Sequence, residues 1–116
     1  MNYATSALEI DSMDPADKAD FGLDFSEYLN DGDTIASVDW SLSSAAIAEG
    51  VEIAMQSHDD TVAVAWFQVA SGSRSRTAWN GAGTKIVATC VATTAAGARW
   101  ERAITITIKQ RNVVDA

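Results

Sequence analysis

From residue 34 onward, apolar and polar side chains alternate with a period of two, and such a chain can bury its apolar groups only as strands. In "TIASVDWSL", Ala36, Val38, Trp40 and Leu42 fall on one face and Ser37, Asp39 and Ser41 on the other. In "GVEIAMQ", Val51, Ile53 and Met55 alternate with Glu52, Ala54 and Gln56. "TVAVAWFQVA" is apolar on both faces, as suits a central strand with neighbours on each side. "TKIVATCVATT" and "ARWERAITITIK" come next, the second with Ile104, Ile106 and Ile108 as one stripe. Gly97 between them supplies the positive-φ position of a tight turn, so residues 84–109 are expected to form an antiparallel hairpin.

Polar loops ("SSAAIAEG", "SHDD", "SGSRSRTAWNGAG"), the first and last with glycine, separate these strands, and no long helical repeat interrupts them. The pattern predicts an all-β chain, an antiparallel β-sandwich of immunoglobulin-like type. It has five to seven strands, depending on whether "SRTAW" and the N-terminus each add one. With 116 residues there is room for one ordinary domain. Trp40, Trp66, Trp79 and Trp100 are available to fill its core. Cys90 is the only cysteine, which excludes an internal disulfide and a multi-cysteine metal site. Its strand-like neighbours point to a buried, inert thiol.

The first 33 residues obey other rules. They hold nine acids (Glu9, Asp11, Asp14, Asp17, Asp20, Asp24, Glu27, Asp31, Asp33) against Lys18, a net −8. The remaining seven acids and seven bases cancel, so the whole net charge of −8 lies in this segment. A nucleic-acid binder would carry a basic surplus, so DNA or RNA is not an expected partner. No apolar run approaches the ~20 residues that span a bilayer, and no secretory signal is visible. "DPAD" reads as a helix start, with Asp14 as N-cap and Pro15 in the first turn. "DFSEYL" reads as a second short helical turn capped by Asp24, with Glu27 three residues on. These turns would carry Phe21, Phe25, Tyr28 and Leu29 to an apolar surface, either this domain's own sandwich or another subunit. The expected division is therefore an acidic docking segment over 1–33 and a sandwich over 34–116.

Candidate chemistry is sparse. "NDGDT" resembles part of a calcium loop but lacks the terminal bidentate glutamate. Asp24 and Glu27, at i and i+3, suit backbone capping better than a catalytic pair. His58 in "SHDD" has no serine motif or second histidine to work with. No catalytic residue, metal or cofactor is expected. Arg74, Arg76 and Trp79 stand close together in one loop, and Arg and Trp are enriched at interface hot spots. With the acidic segment as an opposite charge, Phe21, Phe25, Tyr28, Leu29, Arg74, Arg76 and Trp79 form the candidate partner-binding set.

Asp14-Pro15, Asp20-Phe21, Asp24-Phe25, Leu29, Gly32-Asp33-Thr34-Ile35 and Trp40 stand in a recognisable order. So do Thr61 to Trp66, Gly81 and Gly83, Thr93-Thr94 with Gly97, and Glu101-Arg102 leading into "AITITI". Over residues 14–110 the chain resembles a family of small tailed-phage and prophage proteins described as fiber-tail adaptors. The sequence departs from that pattern in its two phenylalanines and in its longer, more basic glycine region. The resemblance implies a non-enzymatic virion protein, synthesised in the host cytoplasm, that joins tail or neck proteins to a fiber or tailspike. It also implies a homo-oligomer within the particle. A capsid head decoration protein and a carbohydrate-binding module, with Trp79 or Trp100 stacking on sugar, are the alternatives.

Overall fold

The computed structural model describes residues 2–4 and 9–110, with side-chain surroundings from residue 12 onward. Its strands are β1 (Asn2–Ala4), β2 (Glu9–Met13), β3 (Lys18–Asp24), β4 (Ile35–Leu42), β5 (Val51–His58), β6 (Val62–Val69), β7 (Thr84–Thr94) and β8 (Arg99–Ile108). A short helix α1 (Ser44–Ala48) links β4 to β5, and two 3-10 turns, Ser71–Ser73 and Thr77–Trp79, lie between β6 and β7. Two four-stranded sheets result, one in the order β1-β3-β6-β5 and the other β2-β8-β7-β4. The chain is thus an all-β sandwich, as expected.

Alternation builds the core between the sheets. Ala63, Ala65, Phe67 and Val69 of β6 face Ile86, Ala88, Cys90 and Ala92 of β7 and Ile104, Ile106 and Ile108 of β8, all buried. Phe67 contacts Trp40 edge-on at 5.9 Å and Phe21 at 6.1 Å. The expected hairpin is present, with β7 and β8 paired antiparallel from Thr84↔Ile108 to Thr93↔Arg99 and Gly97 at φ 95°.

Two bulges change the faces that strict alternation assigns. In β4 the register shifts between Ile35 and Ser37, so Ile35 is buried and Ala36 exposed. Beyond the bulge Trp40 points inward as expected, 4% exposed. In β5 a shift between Ile53 and Met55 turns Met55 to the outer face, 53% exposed. A bulge places two residues opposite one and so reverses the parity beyond it. Trp66 is also outward, on the alternate face from Ala65 and Phe67, and does not fill the core.

The largest departure from expectation is the acidic segment. Residues 18–24 are a full strand, antiparallel to β6 from Lys18↔Gln68 to Asp24↔Val62. Phe21, Leu23 and Phe25 are buried, at 2%, 1% and 0% exposure. "DPAD" closes a turn instead of starting a helix: Asp17 N–H donates to Asp14 O, Ala16 N–H to Asp14 Oδ1 and Asp14 N–H to Asp17 Oδ2. Helix caps and Asx-turns use the same donors and acceptors, and the periodicity of the next residues decides between them. Here Ala19, Phe21 and Leu23 alternate with Lys18, Asp20 and Asp24, a strand's period. "DFSEYL" makes a single turn, with Tyr28 N–H on Phe25 O and Ser26 N–H on Asp24 Oδ1. Burying three large apolar side chains contributes on the order of 2 kcal/mol each, enough to draw an acid-rich stretch into the sheet. The division into a docking arm and a sandwich at residue 33 therefore does not hold for residues 18–24. Trp40→Ala is expected to cost about 3–5 kcal/mol in urea unfolding. Met55→Ala, outside the core, should change stability by less than about 0.5 kcal/mol.

Candidate partner-binding ends

Because β3 and β6 run antiparallel, the loops at their C-terminal ends emerge at opposite ends of the sandwich. One end carries residues 25–34, the β5–β6 turn and the β7–β8 turn. The other carries the Asp14–Asp17 turn, α1 and the loop between β6 and β7. This topology separates the candidate residues: Tyr28 and Leu29 lie at the first end, Arg74, Arg76 and Trp79 at the second.

At the first end, "GDTI" ties three loops together. Gly32 takes φ 80°, a left-handed turn conformation that favours glycine. Asp33 Oδ1 then accepts the N–H groups of Thr34 (2.9 Å) and Ala96 (3.0 Å). Ala95 N–H donates to Thr34 O, and Ile35 N–H to Asp60 O. The Thr94 hydroxyl foremost, with the amides of Ala96 and Thr34, holds the Asp33 carboxyl below its ordinary value against an opposing desolvation. Asp59 is lowered likewise, first by the Thr61 and Val62 amides and then by His58. Asp33 of "NDGD" and Asp59 of "SHDD" are thus loop fasteners. Among the described residues, no group of three or more His, Cys, Asp or Glu is placed to hold a metal.

Beside these fasteners lies an aromatic shelf. Tyr28 stacks on Trp100 at 5.5 Å and 29° and meets Phe25 edge-on at 6.1 Å. The Arg102 guanidinium sits 4.4 Å from the Tyr28 ring centre and 5.7 Å from that of Trp100. Arg102 Nη1 also donates to Glu101 O at 2.7 Å. Trp100 and Arg102 alternate with Glu101 on β8, so they share one face, a signal present in "RWER" once strand and register are known. Tyr28 and Leu29 remain half-buried, with part of their surface open to a partner.

The second end is built around Trp79, which is fully buried with its indole N–H on Ser73 O at 2.8 Å. Its backbone carbonyl receives Gln110 N–H. Arg74 Nε donates to Val69 O at 2.9 Å, and Arg76 Nε pairs with Glu49 Oε1 at 2.8 Å. A Cβ at Gly83 would collide with the Ile108 carbonyl, so the loop's return into β7 needs glycine. Phe21, Phe25 and Trp79, expected as interface anchors, are therefore core residues of their own chain. Arg76 is matched by Glu49 within the same loop end, not by the acidic segment. Buried Cys90 has its thiol pushed up to about 12, first by burial and then by the charge of Asp39, and cannot supply a thiolate. No helix among the described residues is long and apolar enough to cross a membrane.

Together these features define a structural module: a rigid β-sandwich that holds two chemically different loop ends at fixed separation. Residues 13–107 match the family model described as "Podophage GP4 fiber-tail adaptor protein gp77". The chain belongs to that fiber-tail adaptor family, and it is a structural protein of a phage tail. Among curated proteins, none matches it.

The fasteners give a pH-dependent expectation. A carboxyl whose folded pKa lies below its ordinary 3.8 stabilises the fold fully above that value and loses the effect as pH falls through the lowered one. Asp33→Asn should reduce stability at about pH 7 and flatten its acid-side decline, as read from urea melts between about pH 2 and pH 7.

Proposed function

We propose that this chain is a non-enzymatic adaptor that joins tail or neck proteins to a fiber or tailspike, and that several copies work together in the particle. The family match over residues 13–107 carries this reading. In this proposal the sandwich is immunoglobulin-like, which is supported by the sheet orders β1-β3-β6-β5 and β2-β8-β7-β4 with β2 parallel to β8, while β1 adds in parallel along β3. Such a body keeps its shape on binding, so the attachment falls to its loop ends.

Of the residues expected from sequence, Tyr28 and Leu29 keep a partner-facing role, now joined by Trp100 and Arg102 in the shelf beside them. Arg74, exposed at the opposite end, is the second contact. Phe21, Phe25 and Trp79 act by holding the fold that presents them. The carbohydrate-binding alternative loses its support, since Trp79 is buried and Trp100 is stacked on Tyr28.

A map of the intact particle tests the adaptor reading. It should place the chain between tail and fiber, and a position on the capsid lattice would overturn it. Tyr28→Ala should keep the circular dichroism of the wild type and yet weaken partner binding by about 2 kcal/mol, a roughly 30-fold loss.

A further inference from the structure

The outer face of the β1-β3-β6-β5 sheet is unlike that of its partner sheet. On the β2-β8-β7-β4 sheet, polar Ser37, Asp39, Ser41, Lys85, Thr89, Thr93, Glu101 and Thr105 dominate the outward positions, with Val87, Val91 and Ala103 dispersed among them. Polar outward positions are what a sandwich facing water shows. On the other sheet, the central strand β6 presents Val62, Val64 and Trp66 outward, and Met55 lies beside Trp66 on β5. Met55 is 53% exposed.

The strand register orders this face in rows. Lys18, Gln68 and Glu52 form the first, with Gln68 Nε2 donating to Glu52 Oε1 at 2.9 Å. Asp20, Trp66 and Met55 form the second, and Gly22, Val64 and Ser57 the third. Asp24 and Val62 form the fourth. A two-fold axis lying across the strands exchanges the first row with the fourth and the second with the third. It sets Lys18 of each copy opposite Asp24 of the other, and Trp66 opposite Val64, twice over. Asp20 then faces uncharged Gly22 and not another acid. An isologous contact requires this kind of self-complementarity.

We propose that this face is a dimerisation surface, and that its occupant is the same face of a second copy of this chain. The proposal names a surface for the oligomer put forward above. It does not depend on which tail or fiber protein the chain contacts. Three strands seven or eight residues long and the three-residue β1, about 4.8 Å apart, present roughly 400 Å² per copy. That is the low end of specific interfaces, so the dimer is weak, with a dissociation constant on the order of 10–100 μM. Flanking contacts in an assembled particle would raise its effective affinity.

The experiment is sedimentation velocity on the full chain from about 1 μM to 1 mM, a range that brackets this constant. Wild type should show a reversible monomer–dimer equilibrium. Trp66→Glu, confirmed folded by its urea melt, should raise the dissociation constant at least about ten-fold, since a charge then meets Val64 of the facing copy. Lys18→Asp alone and Asp24→Lys alone should each weaken dimers several-fold, because like charges then face each other twice. An equimolar mixture of those two variants restores both opposite-charge pairs and should dimerise within about three-fold of wild type. Wild type that stays monomeric to about 1 mM would overturn the proposal, as would a mixture no better than either variant alone. Neither result would bear on the adaptor role, which the particle map tests separately.

Discussion

The antiparallel pairing of residues 18–24 with 62–68 is the constraint on which the other features rest. It carries Phe21 and Leu23 into the space between the sheets and brings Phe25 under the Thr61 carbonyl, which accepts its N–H at 2.8 Å. It also sends the chain on to the loop that delivers Tyr28 to Trp100 and Asp33 to the β7–β8 turn. Without that strand, β6 would lose a neighbour, and the face of Phe67 that meets Phe21 would open to water. The acids of this stretch are tolerated because alternation keeps Asp20 and Asp24 on the outer face, where water screens them.

Much of the fold is legible in particular residues. The Ile104-Ile106-Ile108 stripe, Gly97 and the inward Trp40 each come from period two or from a glycine's conformational freedom. The parts that are not legible have a common cause. Bulges reverse parity without a composition signal of their own, which is why period two alone puts Ala36 and Met55 on the wrong face. Asp14-Pro15 and Asp24 fit helix caps and turns equally well, because both use a side-chain oxygen on nearby amides. The alternation in "KADFGLD" decides between them, and the surrounding charge obscures it. At the proposed site, Tyr28 and Leu29 are candidates that sequence alone offers, from their place beside the acids. Arg102 cannot, since its position over the Tyr28 ring depends on two segments more than 70 residues apart in sequence meeting at one end.

The arrangement changes the meaning of the negative charge. An acidic arm free to meet Arg74 and Arg76 would have set opposite charges across an assembly interface. In the folded chain, Asp14, Asp33 and Asp59 accept backbone N–H groups and Arg76 is paired with Glu49. Exposed ion pairs contribute about 0–1 kcal/mol each, so the proposed attachment rests on the aromatic shelf and the apolar sheet face more than on charge. At protein interfaces in general, charge supplies specificity and buried rings supply holding strength.

Native-state hydrogen exchange on the isolated full chain examines the pairing itself. The amides of residues 19–23 that lie in the ladder should exchange as slowly as those of β6, through opening close to global unfolding. Exchange of residues 18–24 at rates typical of an unprotected peptide, while β6 and β7 stay protected, would contradict this. It would mean that the acidic segment is not part of the sandwich in solution.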